Sequence, residues 1–186
     1  MKKIMFNDKY GLTQAVLEGR KTQTRRILLP HTVQELRNGN DYQEVIRLYS
    51  GYKVGEVVAV AQRYKDITLE MPVKFDPELT KQPGWNNKMF VKADLMLHRI
   101  RITNIRMERL QDISEDDCLK EGIWREDNVG LEGVTYWYHG LANSSFRTPQ
   151  QAYASLIDRI SGKGTWESNP WVFVYDFELV KKELEG

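Results

Sequence analysis

Cysteine occurs once in the 186 residues, at Cys118, which excludes an internal disulfide and is consistent with a reducing compartment. Histidine occurs three times, at His31, His98 and His139. With a lone cysteine, these scattered positions give neither Cys/His nor His-Glu zinc-ligand spacing, so no metal is expected. Long apolar runs are missing too. Nothing approaches the roughly 20 residues of a membrane helix, and Ile4, Met5 and Phe6 behind Lys2 and Lys3 are too short a stretch for the apolar region of a signal peptide. The expectation is a cytoplasmic protein without a membrane partner. Net charge is nearly absent as well: 27 basic against 26 acidic side chains rule out the strongly basic body that coats duplex nucleic acid, and confine any nucleic-acid site to a local patch.

Common catalytic and cofactor motifs are also missing. Gly162, Lys163 and Gly164 fall close together without the spacing of a P-loop. Neither G-x-G-x-x-G nor G-x-S-x-G occurs, and no cofactor is expected. Cys118, in the middle of an apolar helix face, reads as packing rather than as a nucleophile.

What the chain has is a composition of 41% hydrophobic and 11% aromatic residues, enough for one sizeable core and a single domain over residues 1–186. The pattern predicts an α+β fold in which strands dominate. "KIMF", "VGEVVAVAQRY", "HRIRITNIRMER" and "PWVFVYDFELV" read as strands. In the third, the alternation through Ile100 and Ile102 resumes at Ile105 in the opposite phase, which predicts a bulge. In the fourth, Trp171, Phe173, Tyr175 and Phe177 take one face and Val172 and Val174 the other, as in a strand covered on both sides.

Three helices are predicted. Asp8 is the expected cap of one in which Leu12, Ala15 and Val16 share a face before Gly19. Ser114 is expected to cap a second, with Glu115, Asp116 and Asp117 in its first turn and Gly122 as its stop. Thr148 caps a third, with Pro149 in the first helical position, Gln151 completing a capping box, and an apolar stripe of Ala152, Leu156, Ile157 and Ile160. Two stretches, near 65–88 and 125–147, read as surface insertions. Glu121 is out of place: a carboxylate in the last turn faces the negative end of the helix dipole, at a cost of about 0.3–1 kcal/mol unless a cation lies nearby.

The run "GRKTQTRRIL" at residues 19–28 gathers Arg20, Lys21, Arg25 and Arg26 with no acidic residue between them. Extended, it places Thr22, Thr24 and Arg26 on one face and Gln23 and Arg25 on the other. Lys21, in the turn after Gly19, is free to reach either side. Such a cluster suits an anion; the plainer reading is a solvated strand edge that discourages aggregation. Arg99 and Arg101, two apart on a strand, either extend a basic groove or lie on a solvated face.

Taken together, "AVLEGRKTQTRRIL", "YKVGEVVAV", "RIRITNIRMERLQDISEDDCLKEGI" and "GKGTWESNPWVFVYDFELV" resemble the ASCH domain family of the PUA-like superfamily, in particular its phage-associated members. The resemblance is patchy over residues 29–52, 65–97 and 125–147. It is most specific in the G-x-K-T-x-T-x-R block, the "LQDIS" to "EGI" helix and the "NPWV" strand. It implies a small, partly open β-barrel with flanking helices and a cleft that holds RNA or a nucleoside. The family also includes small amidohydrolases that cleave the acetyl amide of N4-acetylcytidine with a lysine and a threonine of that block and a glutamate of the later helix. Carried over by position, these are Lys21, Thr24 and Glu121, and the arginine of the block is Arg26.

Three functions are therefore expected to compete. The first is a module that binds RNA or a modified nucleoside, with Arg20, Thr22, Arg25 and Arg26 as ligand contacts and Trp85, Trp124 or Trp137 stacking a base. The second is an amidohydrolase built on Lys21, Thr24 and Glu121. The third is a phage accessory protein acting through protein contacts, favoured by an exposed aromatic patch within residues 124–138.

Overall fold

The computed structural model describes residues 1–71, 76–128, 133–141 and 145–180. The chain opens with strand β1 (Lys3–Ile4), a 3-10 turn at Asp8–Tyr10 and helix α1 (Leu12–Leu17). Strand β2 (Gln23–Ile27), helices α2 (Pro30–Arg37) and α3 (Tyr42–Tyr49), strand β3 (Val57–Val60) and helix α4 (Tyr64–Glu70) follow. Short 3-10 turns between Pro77 and Leu95 lead into strand β4 (Arg99–Arg109). Helix α5 (Glu115–Lys120), the pair β5 (Trp124–Asn128) and β6 (Gly133–Trp137), helices α6 (Pro149–Ser161) and α7 (Thr165–Ser168), and strand β7 (Trp171–Val180) complete it.

Five strands form one mixed sheet in the order β1-β3-β4-β7-β2. β1 runs parallel to β3, the other neighbours are antiparallel, and β5 and β6 make a separate antiparallel pair. The α and β content is mixed, as expected, but strands do not dominate. Residues 30–49 form two helices where no element was expected; Pro30 in the first turn of α2 and the Asp41 carboxylate capping α3 are their start signals.

The sheet forms where side chains can be buried on both faces. β7 carries Val172, Val174, Phe173, Tyr175 and Phe177, all buried, which suits a strand flanked by β4 and β2. In β4 the register shifts between Ile102 and Asn104, the bulge that the change of phase predicted, and it lets Ile100, Ile102 and Ile105 all enter the core. Ser114 caps α5 by accepting from the Asp117 amide, and Thr148 caps α6 by accepting from the Gln151 amide.

Two expectations need correction. Asp8 is not a cap: the Asn7 side chain accepts from the Lys9 amide, while Asp8 lies inside the turn, accepts from the Thr13 hydroxyl at 2.5 Å and pairs with Lys88 at 2.7 Å. Asn7 caps only this 3-10 turn; helix α1 starts behind Gly11, which is left-handed (φ +64) and gives no side-chain cap, so neither Asn7 nor Asp8 caps it. Ile160 does not belong to the buried stripe of α6; it is 37% exposed, and Tyr153 is buried instead. A second, smaller apolar cluster of Ala59, Ala61, Ile67, Val91 and Met96 joins β3 to the segment beyond it. Among the described residues, no helix is long and apolar enough to cross a membrane.

Candidate functional site

Two helix ends build the site. After α1, Gly19 takes a left-handed conformation (φ +74), its amide returns to the Val16 carbonyl, and the Arg20 amide returns to that of Ala15. After α5, Gly122 is left-handed (φ +101), its amide returns to Leu119 and the Ile123 amide to Cys118. Both are Schellman turns, which satisfy the last carbonyls of a helix and redirect the chain. They pack against each other. A Cβ on Gly122 would stand 3.3 Å from Leu12 Cδ2 and 3.7 Å from Lys21 Cδ, and the Thr22 amide donates to the Lys120 carbonyl at 2.9 Å.

This packing brings Lys21 and Glu121 together in the interior. Lys21 Nζ donates to Glu121 Oε2 at 2.5 Å, to the Glu121 carbonyl at 2.8 Å and to the Gln23 carbonyl at 2.7 Å. All three ammonium hydrogens are thereby used. The two side chains are 1% and 5% exposed. The cation that Glu121 needed at its unfavourable helix position is therefore Lys21, joined by Arg25, whose Nη1 reaches Glu121 Oε1 at 3.2 Å. Burial holds the Lys21 pKa below its ordinary value; Glu121 opposes this, and the positive charges of Arg26 and Arg25 add to it.

Arg25 is wholly buried and links the site to the surface through carboxylates. It pairs with Glu108 Oε1 at 2.6 Å and Asp117 Oδ2 at 3.0 Å, and it donates to the Gln23 side chain. Arg106 then bridges Asp117 at 2.5 Å, Glu108 at 3.0 Å and Asp176 at 2.9 Å. Burial works against the Arg25 charge, but Glu121, Tyr153 and Glu108 outweigh it, and its pKa is raised. Burial likewise pushes Asp117 up, and hydrogen bonds from Arg25 and Lys120 with the charge of Arg106 outweigh that and hold it low. The carboxylates here are engaged by guanidinium and ammonium groups. Among the described residues, no group of three or more His, Cys, Asp or Glu is placed to hold a metal ion.

A cavity of about 190 Å³ opens onto this pair. Lys21, Thr24, Arg25, Arg26 and Glu121 all line it, with Phe6, Leu12, Tyr153 and Leu156 among its apolar wall. Lys21, whose direction alternation left open, lines the same cavity as Thr24, while its ammonium is held by the Glu121 carboxylate that Arg25 also contacts. Arg26 is exposed at this cavity, donates to the Met5 carbonyl at 2.6 Å, and has no carboxylate within 4 Å among the described residues. Met5, Arg26 and Ile27 also line an adjoining cavity of about 320 Å³ walled by Tyr49, Tyr52, Phe173 and Tyr175.

Arg20 and Thr22 stand apart from the cavity. Arg20 pairs with Glu18 at 2.6 Å and lies 3.7 Å over the Trp124 ring, which stacks on Trp137 at 5.1 Å and 6°. Thr22 is tied by its backbone to Lys120 and Phe177. Tyr153 was not singled out from the sequence. It is 2% exposed and its pKa is raised well above the ordinary value, by burial first and then by Glu121. The signal for it was the helical spacing of Pro149, Tyr153 and Leu156 on α6, a second row beside the expected stripe.

Comparison with protein families, with curated proteins and with solved structures finds no match for the chain.

Proposed function

We propose that the cavity takes an acylated base of the N4-acetylcytidine type and hydrolyses its exocyclic amide. The observation that carries this reading is the buried contact between Lys21 and Glu121 at 2.5 Å on a cavity that Thr24 also lines. A hydrogen-bonded pair of titratable groups on a small cavity that a threonine also lines supplies the residue types that a nucleophile with its acid and base requires. The resemblance to the ASCH family supports the same three residues. It also carries the finer reading of the five-stranded sheet as the wall of a partly open PUA-like barrel, supported by the bulge in β4.

In this reading the resting pair first becomes neutral: Lys21 passes one proton to Glu121 Oε2, a transfer eased by the burial that depresses the Lys21 pKa. The amine turns its lone pair to the Thr24 hydroxyl and takes its proton as Oγ1 bonds to the acyl carbon, while the carbonyl π electrons move to oxygen. Arg26, the cation of the block without a carboxylate partner, meets that oxyanion. Collapse of the adduct expels the amine of the base, which receives its proton from the Glu121 carboxyl. Water then cleaves the acyl-threonine ester, giving the free acid and restoring the hydroxyl. The small cavity holds the acylated base, and the adjoining aromatic cavity takes the sugar.

The test is release of acetate from N4-acetylcytidine by the wild type, Thr24→Ala, Lys21→Arg and Glu121→Gln. Turnover by the wild type and its loss in all three variants is the expected result. No acetate at enzyme concentrations equal to substrate overturns the proposal.

A second reading, RNA binding without chemistry, is favoured by the exposed Arg26 and by the stack of Arg20 on Trp124 and Trp137. It predicts salt-dependent binding of single-stranded RNA that Arg26→Ala and Trp124→Ala both weaken.

A further inference from the structure

The function proposed above leaves Arg99 and Arg101 unused. They begin β4 on the same face, yet their surroundings differ. Arg101 Nη1 pairs with Glu178 at 3.1 Å. Among the described residues, Arg99 has no carboxylate within 4 Å, and its Nε is the buried side-chain nitrogen or oxygen without a hydrogen-bond partner. A buried donor with no acceptor destabilises a fold, so each such group calls for an explanation.

Arg99 lines a cavity of about 480 Å³, within the roughly 300–1,000 Å³ of small-molecule sites. The cavity shares no lining residue with that of Lys21. Its walls are apolar, with Ile67, Met71, Leu79, Met96 and Leu97 around the guanidinium. One acid is present: Asp94, at the rim, with its side chain 77% exposed and paired to the amino terminus at 3.7 Å. The interior is thus greasy with a single cation in its wall; Nε itself has no surface open to the cavity, so the terminal Nη groups of the guanidinium are the donors left for a carboxylate.

We propose that this cavity binds an amphipathic carboxylate of the medium-chain fatty-acid class. Its hydrocarbon lies against Ile67, Leu79 and Met96, and its carboxylate is held by Arg99. The two halves of the site select the two halves of the ligand. An alcohol of equal chain length buries the same apolar area but brings no charge to the guanidinium, and an ammonium repels it.

Isothermal titration calorimetry with octanoate and octan-1-ol tests this on the intact chain. The wild type is expected to bind octanoate with a midpoint below about 1 mM, and octan-1-ol about tenfold or more weakly. Arg99→Met is expected to reduce octanoate affinity to that of the alcohol, while Arg101→Met leaves it unchanged. Should Arg99→Met fail to fold, Thr68→Trp, which fills the cavity wall and leaves the guanidinium in place, is expected to abolish octanoate binding. Equal affinity for the two ligands in the wild type, octanoate binding that survives Arg99→Met or Thr68→Trp, or no heat up to about 1 mM octanoate each overturns the proposal.

Discussion

Arg25 grips Glu121 by Oε1 at 3.2 Å and leaves Oε2 to Lys21 at 2.5 Å. The carboxylate is thereby fixed from both sides, and its orientation depends on a guanidinium that is itself held by Glu108 and Asp117. Arg25 is a positioning residue: it holds the acid without being needed as its proton partner.

Removing Arg25 is therefore costly out of proportion to one side chain. Arg25→Met leaves buried carboxylates without their cation, and we expect a loss of about 3–5 kcal/mol, seen as a fall in Tm of roughly 6–20 °C. Arg25→Lys recovers only part of it, because an ammonium cannot span Glu108, Asp117 and Glu121 at once. An unchanged Tm in Arg25→Met contradicts the network.

Thr24 has a different signature. Thr24→Ala removes a hydroxyl from a cavity wall and leaves the ion pair alone, so stability changes little, while turnover of N4-acetylcytidine falls about 10²–10⁴-fold. Thr24→Ser keeps measurable turnover. Equal acetate release by Thr24→Ala and wild type removes the hydroxyl from the chemistry.

Gly122 joins the two helix ends. Gly122→Ala forces a Cβ into a left-handed turn and to within 3.3 Å of Leu12 Cδ2, and is expected to cost at least about 1 kcal/mol. Urea denaturation reads this directly. A variant as stable as the wild type shows that the turn relaxes without strain.

Cys118 is fully buried, and burial pushes its thiol up to about 12. At pH 8 it is expected to resist iodoacetamide in the native protein and to react once urea unfolds it. Rapid labelling under native conditions contradicts its packing role.

The pH dependence of stability has two parts of the same sign in different pH windows. Asp117 has a lowered pKa in the fold, so its contribution is fully present above the unfolded value near 3.9 and is lost as pH falls through the folded value. Lys21 has a lowered pKa as well, so it too binds more protons when unfolded and its contribution also improves as pH rises. Its penalty is fully present below the folded value and fades as pH rises from there toward about 10.4. Urea midpoints measured from pH 3 to pH 5 are expected to rise with a slope that Asp117→Asn reduces; an unchanged slope excludes Asp117 as a source.

Much of this was legible in local sequence. The caps at Ser114 and Thr148, the bulge before Ile105 and the two-faced burial of β7 all follow from spacing within a few residues. The misplaced charge of Glu121 was visible for the same reason, and it announced that a cation had to lie nearby. Which cation was not legible. Lys21 lies 100 residues away in sequence, and its direction is set by the Schellman turn at Gly19, whose geometry depends on α5 packing beside it. Arg25 was equally opaque: its partner Glu108 is 83 residues distant, and strand alternation gives the side of a residue without giving what stands there. Tyr153 escaped because α6 buries two adjacent rows, and only one was read as apolar.

The place of β7 in the sheet has a consequence for how the molecule is made. The last described strand to leave the ribosome is inserted between β4 and β2, and until it arrives both present open edges with unpaired amides and carbonyls. β2 carries Lys21 at its threshold and Val172 of β7 lines the pocket, so the pocket is incomplete until β7 is in place. Until then the chain presents two unpaired strand edges, the kind of surface on which neighbouring chains misassemble.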